Sequence, residues 1–347
     1  MAEPRPRPRY RSAVLGALAT AVVVALAIAA ARGERFETFA GEAMATRWEV
    51  TLPARVGAEP AAAECFALFR RLDLLMSEWK EGSPLSAVNR AAGVAPVEVP
   101  EELFELLDLS VELGRETDGA FDISWAALWG LWDFRAAVPK LPDASEIEAR
   151  RRLIDYRRLE LDRAAGTAFL PEAGMQLGLG AIGKGYALER AAELLEARGF
   201  GDFMLVGGGQ VVTRGRRGGR PWRVGLRDPR GAADEVFARV ELEGASLSTS
   251  ADNESFFVID GRRYHHILDP RTGWPAASGL RSATVLHRDA TVADALSTAV
   301  LVLGWERGSA VVLRLGGEAA AVDERGEVAA TPGLEPKLER LRVPRRD

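Results

Sequence analysis

The stretch MQLGLGAIGKGYALERAAELLEARGFGDFMLVGGGQ, residues 175–210, sets the architecture of the chain. A short apolar strand enters a turn with glycines at 178, 180, 183 and 185. A helix follows from about Lys184 to Arg198, its apolar residues spaced three and four apart, and then a buried strand ends at Gly207. Missing side chains let a ligand approach the backbone of such a turn. Free N–H groups at the helix N-terminus favour phosphate, and Lys184 adds a mobile positive charge. The turn is not a P-loop, because Gly185 stands where Ser or Thr belongs, and no dinucleotide-binding register fits it. On pattern alone it serves structure as readily as a ligand.

Working outward, RWEVTLPA before this centre alternates like a strand, and EPAAAECFALFRRLDLLMSEWK has the period of an amphipathic helix. SPLSAVNRAAG reads as turn-rich. VPEELFELLDLSVELGRETDG is a second helix, opened by a proline and closed near Gly119, and ASEIEARRRLIDYRRLELD a third that runs into a short strand. Beyond the centre come strand-like runs, WRVGLRDP, FARVELEG, SFFVIDGRRYHHILDP and SATVLHRD, and then the helical TVADALSTAVLVLG. The last fifty residues read as helix, strand, a tight turn at Glu324–Gly326, strand and a basic tail. Helices crowd the first half and strands the second, which implies an α+β fold rather than a repeating βαβ chain. With no repeat and no evident linker, residues 36–347 form one compact catalytic unit.

The composition is 47% hydrophobic and 27% charged with net charge −5, which argues against a general grip on nucleic acid. The one basic cluster, Arg5, Arg7, Arg9 and Arg11 in residues 1–11, precedes the uncharged SAVLGALATAVVVALAIAAA at residues 12–31. That pairing describes a signal peptide or one transmembrane helix, with the rest of the chain on the far side of the membrane. Cleaved and anchored forms are both open. The single cysteine, Cys65, excludes an intrachain disulfide, and no cysteine lies near the end of the apolar stretch to carry a lipid.

Three constellations could carry chemistry. The glycine turn with Lys184 is the first. In ADALSTA, Asp294 and Thr298 lie four apart on a helix with Ser297 beside them, hard oxygen ligands that suit Mg²⁺, although Asp294 could equally cap or solvate its first turn. In YHHILDPRTGWPA, residues 264–276, a turn built on Asp269-Pro270 and Thr272-Gly273 would fix a histidine-bearing strand. An alternating strand turns His265 and His266 to opposite faces, so one at most points into a given site as a proton carrier. Softer signals are TDGAFDIS, followed by Trp125, Trp129 and Trp132, and MSEWKEGSPLSAVN with Trp79 and Asn89; aromatics there could stack a heterocycle or simply pack.

Taken together and in order, these segments resemble the ApbE family of flavin transferases from about Phe39 to Gly304, with MATRW, LGAIGKGYALERAAELL, LVGGG and STSADNESFF completing the match. The resemblance implies transfer of FMN from the substrate FAD to a threonine of an acceptor protein, releasing AMP. By position, Asp294, Ser297, Thr298 and the Ala181 carbonyl match Mg²⁺ ligands, and His266 the base. Met44, Trp79, Ala120, Phe121, Asp122, Gly178, Lys184 and Leu268 match positions around the flavin nucleotide. The implied acceptor is a membrane redox subunit, and the implied location is the periplasmic side of the inner membrane, or the periplasm itself after cleavage. Gly178, Gln210 and Ala251 depart from the usual Asp, Asp and Gly of the family; Trp79 suits a member that holds FAD for transfer. Two rival readings are an Mg²⁺-dependent FAD pyrophosphatase and a non-catalytic periplasmic FAD-binding protein.

Overall fold

The computed structural model describes residues 35–345 except 233, so the stretch at 12–31 read as an anchor or signal lies outside the described residues. Among those described, no helix is long and apolar enough to cross a membrane.

The frame is one sheet of eight strands: β1 (Phe36–Ala43), β2 (Thr46–Pro53), β3 (Phe203–Gly207), β4 (Gln210–Arg214), β5 (Ser246–Ala251), β6 (Leu280–His287), β7 (Glu318–Asp323) and β8 (Val328–Ala330). They stand side by side in chain order, and every pairing is antiparallel. Nearly everything else is inserted between them, while the strand Leu338–Arg340 follows the eighth. Helices α1 (Ala58–Met76), α2 (Pro84–Arg90), α3 (Glu101–Glu116), α4 (Ala144–Arg151) and α5 (Gly183–Ala197) all fall between β2 and β3. Helices α6 (Ala290–Leu303) and α7 (Trp305–Arg314) fall between β6 and β7. This confirms α+β, because without parallel neighbours no βαβ crossover is needed.

Alternation along β3 shows how the layers form. Phe203 and Leu205 point into a core shared with α1, α3 and α5, while Met204 and Val206 join the opposite core. That second core is covered by a small sheet of Trp222–Arg227, Val236–Leu242 and Leu338–Arg340. At the end of β3 the backbone must pass under Trp48, which stacks on Phe69 at 4.1 Å; a Cβ on Gly207 would lie 2.4 Å from the indole. Full burial of one such aromatic contributes about 1.5–3 kcal/mol, so glycine here preserves a sizeable contact.

Three local readings change. SPLSAVNRAAG is not merely turn: Ser83 accepts from Ser86 N at 2.9 Å and Pro84 opens helix α2. The apolar run before the glycine turn belongs to no sheet, being held instead by Asn89, whose Oδ1 accepts from Leu177 N at 2.7 Å and whose Nδ2 donates to Leu177 O at 2.9 Å. The third helix stops at Arg151, because Asp155 caps a separate short turn at Tyr156–Arg158 before the strand begins.

Candidate active site

The glycine turn shows why the site forms where it does. Helix α5 opens without a side-chain cap, and Gly185 N, whose helical partner would be the Ala181 carbonyl, donates instead to Asp294 Oδ2 of α6 at 2.9 Å. The Ala181 carbonyl therefore accepts no hydrogen bond among the described residues. The two helices cross so closely here that a Cβ on Gly185 would lie 2.2 Å from Ala290 O and 2.6 Å from Asp294 Cβ. Gly185→Ala should lower stability by about 1–3 kcal/mol through overpacking against backbone, read as a lower urea midpoint. An unchanged midpoint would contradict this crossing.

Around that crossing lies a cavity of about 290 Å³. Its wall collects Lys184 and Ala181 from the turn, Asp294 and Thr298 from α6, and His266 and Leu268 from the histidine segment. Ala120, Phe121 and Asp122 come from the loop after α3. Met44 lines an adjoining cleft of about 590 Å³ that shares Lys184, Gly208 and Glu254 with the first. Trp79 lines a third of about 340 Å³, sharing Glu78 and Trp129, and its exposed ring meets that of Trp129 edge-on at 4.0 Å. Two expected residues stand back from the cavity. Ser297 is fully buried, its Oγ 2.8 Å from Ser250 Oγ and donating to Asp294 O at 2.9 Å. Gly178 packs against Ala126 and Trp125, with its carbonyl accepting from Trp125 Nε1 at 3.2 Å.

Several groups here were not evident from sequence. Gly208 adopts φ +56 beneath Lys184, where a Cβ would sit 2.5 Å from Lys184 Cδ, so the lysine stem owes its path to that glycine. Ser250, at the end of β5, lies 3.1 Å from Thr298 Oγ1 and so ties the sheet to the α6 oxygens. Gln210 is 3% exposed on the cavity wall, and its Oε1 has no donor among the described residues. An acceptor in that position suits a ligand hydroxyl or N–H. Glu78 also faces the cavity; burial pushes its carboxyl up, and Lys184 partly offsets the shift.

The two histidines separate, although the strand Arg262–His265 ends at the first of them and His266 lies in the bend just beyond it. His265 Nε2 donates to Ala276 O at 3.0 Å, and burial drives its pKa down to about 4. The unfolded chain takes up this proton near 6.5 and the folded one only near 4, so acid favours unfolding across that interval. The loss amounts to about 3 kcal/mol at most and is complete below the lower value. Urea titrations at successive pH values should show it, and His265→Gln should flatten the slope; an unaltered slope would remove His265 from the acid response. His266 lines the cavity, its Nδ1 enclosed and its Nε2 4.0 Å from Glu254 Oε2. Burial lowers the pKa of His266 and the Glu254 charge opposes that, leaving a neutral imidazole near pH 7.

No group of three or more His, Cys, Asp or Glu that could hold a metal occurs among the described residues, so an ion here would rest on one carboxylate and neutral oxygens. Asp294, Thr298 and Ala181 all line the cavity; Asp294 Oδ2 is engaged by Gly185 N, the Thr298 hydroxyl lies 3.1 Å from Ser250 Oγ, and the Ala181 carbonyl accepts no hydrogen bond among the described residues. One carboxylate with neutral oxygens matches Mg²⁺, which keeps waters or phosphates on its other positions. Asp122, though on the wall, spends its carboxylate on Ser124 N at 2.8 Å, Ser124 Oγ at 2.6 Å and Tyr156 N at 3.0 Å, so it shapes the loop.

Residues 44–322 match the model of the ApbE family. The FAD:protein FMN transferase of Treponema pallidum (strain Nichols) is 36% identical over 309 residues, covering 83% of this chain and 84% of that protein. The FAD:protein FMN transferase of Klebsiella pneumoniae (strain 342) is 33% identical over 297 residues, with the same coverage of 83% and 84%. The crystal structure of the ApbE protein of Thermotoga maritima superposes with a TM-score of 0.80 at 31% identity, covering 87% of this chain and 99% of that one. The flavin transferase ApbE of Vibrio cholerae gives 0.78 at 26% identity, covering 88% and 99%.

Proposed function

The chain belongs to the ApbE family, and from that premise we propose that it is an Mg²⁺-dependent FAD:protein FMN transferase acting on a threonine of an acceptor protein. The observation that carries this reading is the convergence in one cavity of Lys184, Asp294, Thr298 and His266, drawn from three chain segments far apart in sequence.

In this reading, Lys184 and the uncapped start of α5 receive the pyrophosphate of FAD, where N–H groups and a cation meet its charge. Mg²⁺ would be held by Asp294, Thr298 and the Ala181 carbonyl, with Ser297 positioning that set through Ser250; when bound it neutralises charge on the pyrophosphate. The threonine oxygen forms a bond to the phosphorus of the FMN half. The bond from that phosphorus to the bridging oxygen breaks, and AMP departs with that oxygen. His266 Nε2 takes the threonine proton, and Glu254 faces the resulting imidazolium. Trp79 and Trp129 at the cavity mouth offer aromatic faces to a flavin ring, which supports transfer over hydrolysis. Residues 12–31 would serve as anchor or signal and place the domain on the periplasmic side of the inner membrane.

The test is to incubate the full chain in detergent with FAD, Mg²⁺ and a threonine-bearing acceptor domain, and to weigh the acceptor. A gain of one FMN supports the transferase. AMP and free FMN without that gain would make the protein a pyrophosphatase, and intact FAD would leave a binding protein.

A further inference from the structure

The two ends of the eight-stranded sheet differ. At one end stand the turns that border the cavities, Met44–Ala45 between β1 and β2 and Gly208–Gly209 between β3 and β4. At the other end the chain enters β1. There Phe36 meets Trp222 edge-on at 5.3 Å, Arg217 lies over the same indole at 5.8 Å, and Arg35 O accepts from Ala54 N at 2.7 Å. Arg55 covers Phe200 at 4.2 Å, and the neighbouring Val56 is 103% exposed, the most exposed large apolar side chain described.

Arg35, Arg217 and Arg220 are exposed and take part in no ion pair among the described residues. The nearest acids in sequence to Phe36 and Val56 are Glu37 and Glu59, both exposed. Arg35 next to Phe36, Arg217 over Trp222 and Arg55 next to the exposed Val56 put guanidinium groups and a bare apolar side chain at one end of the sheet, a combination suited to the polar–apolar boundary of a bilayer, where guanidinium groups meet phosphates and an apolar side chain dips below them. The chain outside the described residues points the same way. From Ala31, the last residue of the apolar stretch, to Arg35 is four residues, a reach of at most about 14 Å.

We propose that this end of the sheet, carrying Arg35, Arg55, Val56, Arg217 and Arg220, rests on the phospholipid headgroups of the membrane that holds residues 12–31, with the catalytic cavity opening away from the bilayer. This rests on residues 12–31 being a membrane segment. Strand β1 advances about 24 Å between Phe36 and Ala43, so the acceptor threonine must be presented at about that height above the headgroups.

The sole native cysteine, Cys65, is fully buried, so a single introduced cysteine can be labelled selectively. Full chains carrying Val56→Cys or Glu42→Cys, each labelled with nitrobenzoxadiazole, are reconstituted into phosphatidylethanolamine–phosphatidylglycerol vesicles. The label at position 56 should show blue-shifted emission and several-fold slower reduction by dithionite than the label at position 42, near the opposite end of β1. R217E with R220E should return the label at 56 toward water while the chain stays in the vesicle fraction. Equal reduction at both positions in vesicle-bound chain would overturn the docked face and leave the anchor intact. Full chain recovered outside the vesicle fraction would overturn the anchor and this proposal together.

Discussion

His266→Ala is expected to slow FMN transfer on the order of 10²–10⁴-fold while FAD still binds, the range lost when a positioned general base is removed. The fold should survive, because the structural bond of this residue is made by its backbone N, which donates to Ser255 O at 3.0 Å. The side chain supplies only the imidazole facing the cavity. Burial holds the pKa of His266 below its ordinary value, so kcat/KM should rise with pH through that lowered value and be level by neutrality. Glu254 is the group that resists the lowering, so Glu254→Gln should move the acid limb further down. Transfer measured by acceptor mass across pH provides both readings. A wild-type rate for His266→Ala, or an acid limb unmoved by Glu254→Gln, would place the proton elsewhere.

Asp294→Asn is expected to lower transfer on the order of 10²–10³-fold, several kcal/mol of lost charge stabilisation, and to raise the Mg²⁺ concentration needed for half-maximal rate. Asparagine is the informative variant. Its Oδ1 can still accept from Gly185 N, whereas alanine would strand that buried N–H and remove about 1–3 kcal/mol of stability as well. A normal Mg²⁺ dependence with Asn at 294 would dismiss the ion from this set. Thr298→Val should shift the same dependence less, since it removes one neutral oxygen and leaves the charge.

Much of this was legible without coordinates. The α+β class followed from helices crowding the first half and strands the second, and the α5 and α6 helices from their apolar spacing. That only one of His265 and His266 would enter the site was legible, and the structure sends the first to Ala276 O and the second to the cavity, but the strand stops at His265, so the bend after it rather than alternation turns His266. Other features had no local signature. The strand Phe36–Ala43 buries none of its side chains fully and carries small and polar residues between its two phenylalanines, so its apolar signal is weak; it exists because β2 supplies its hydrogen bonds. SPLSAVNRAAG reads as a turn because Ser, Pro, Asn and Gly favour turns, yet Ser83 and Pro84 also begin helices, and only packing decides between them.

By its own chemistry the sequence determined which residue types could handle phosphate, metal and proton, and in which local element each one lies, because periodicity and turn propensity act over a few residues. The tertiary structure alone decided which of these candidates meet. Asp294 reaches Gly185 across more than a hundred residues because two helices cross where a glycine leaves room; Ser297 turns to the sheet while Thr298 lines the cavity; Gln210 is left without a donor among the described residues. Such meetings depend on close contact between distant segments, and spacing along the chain carries no measure of that distance.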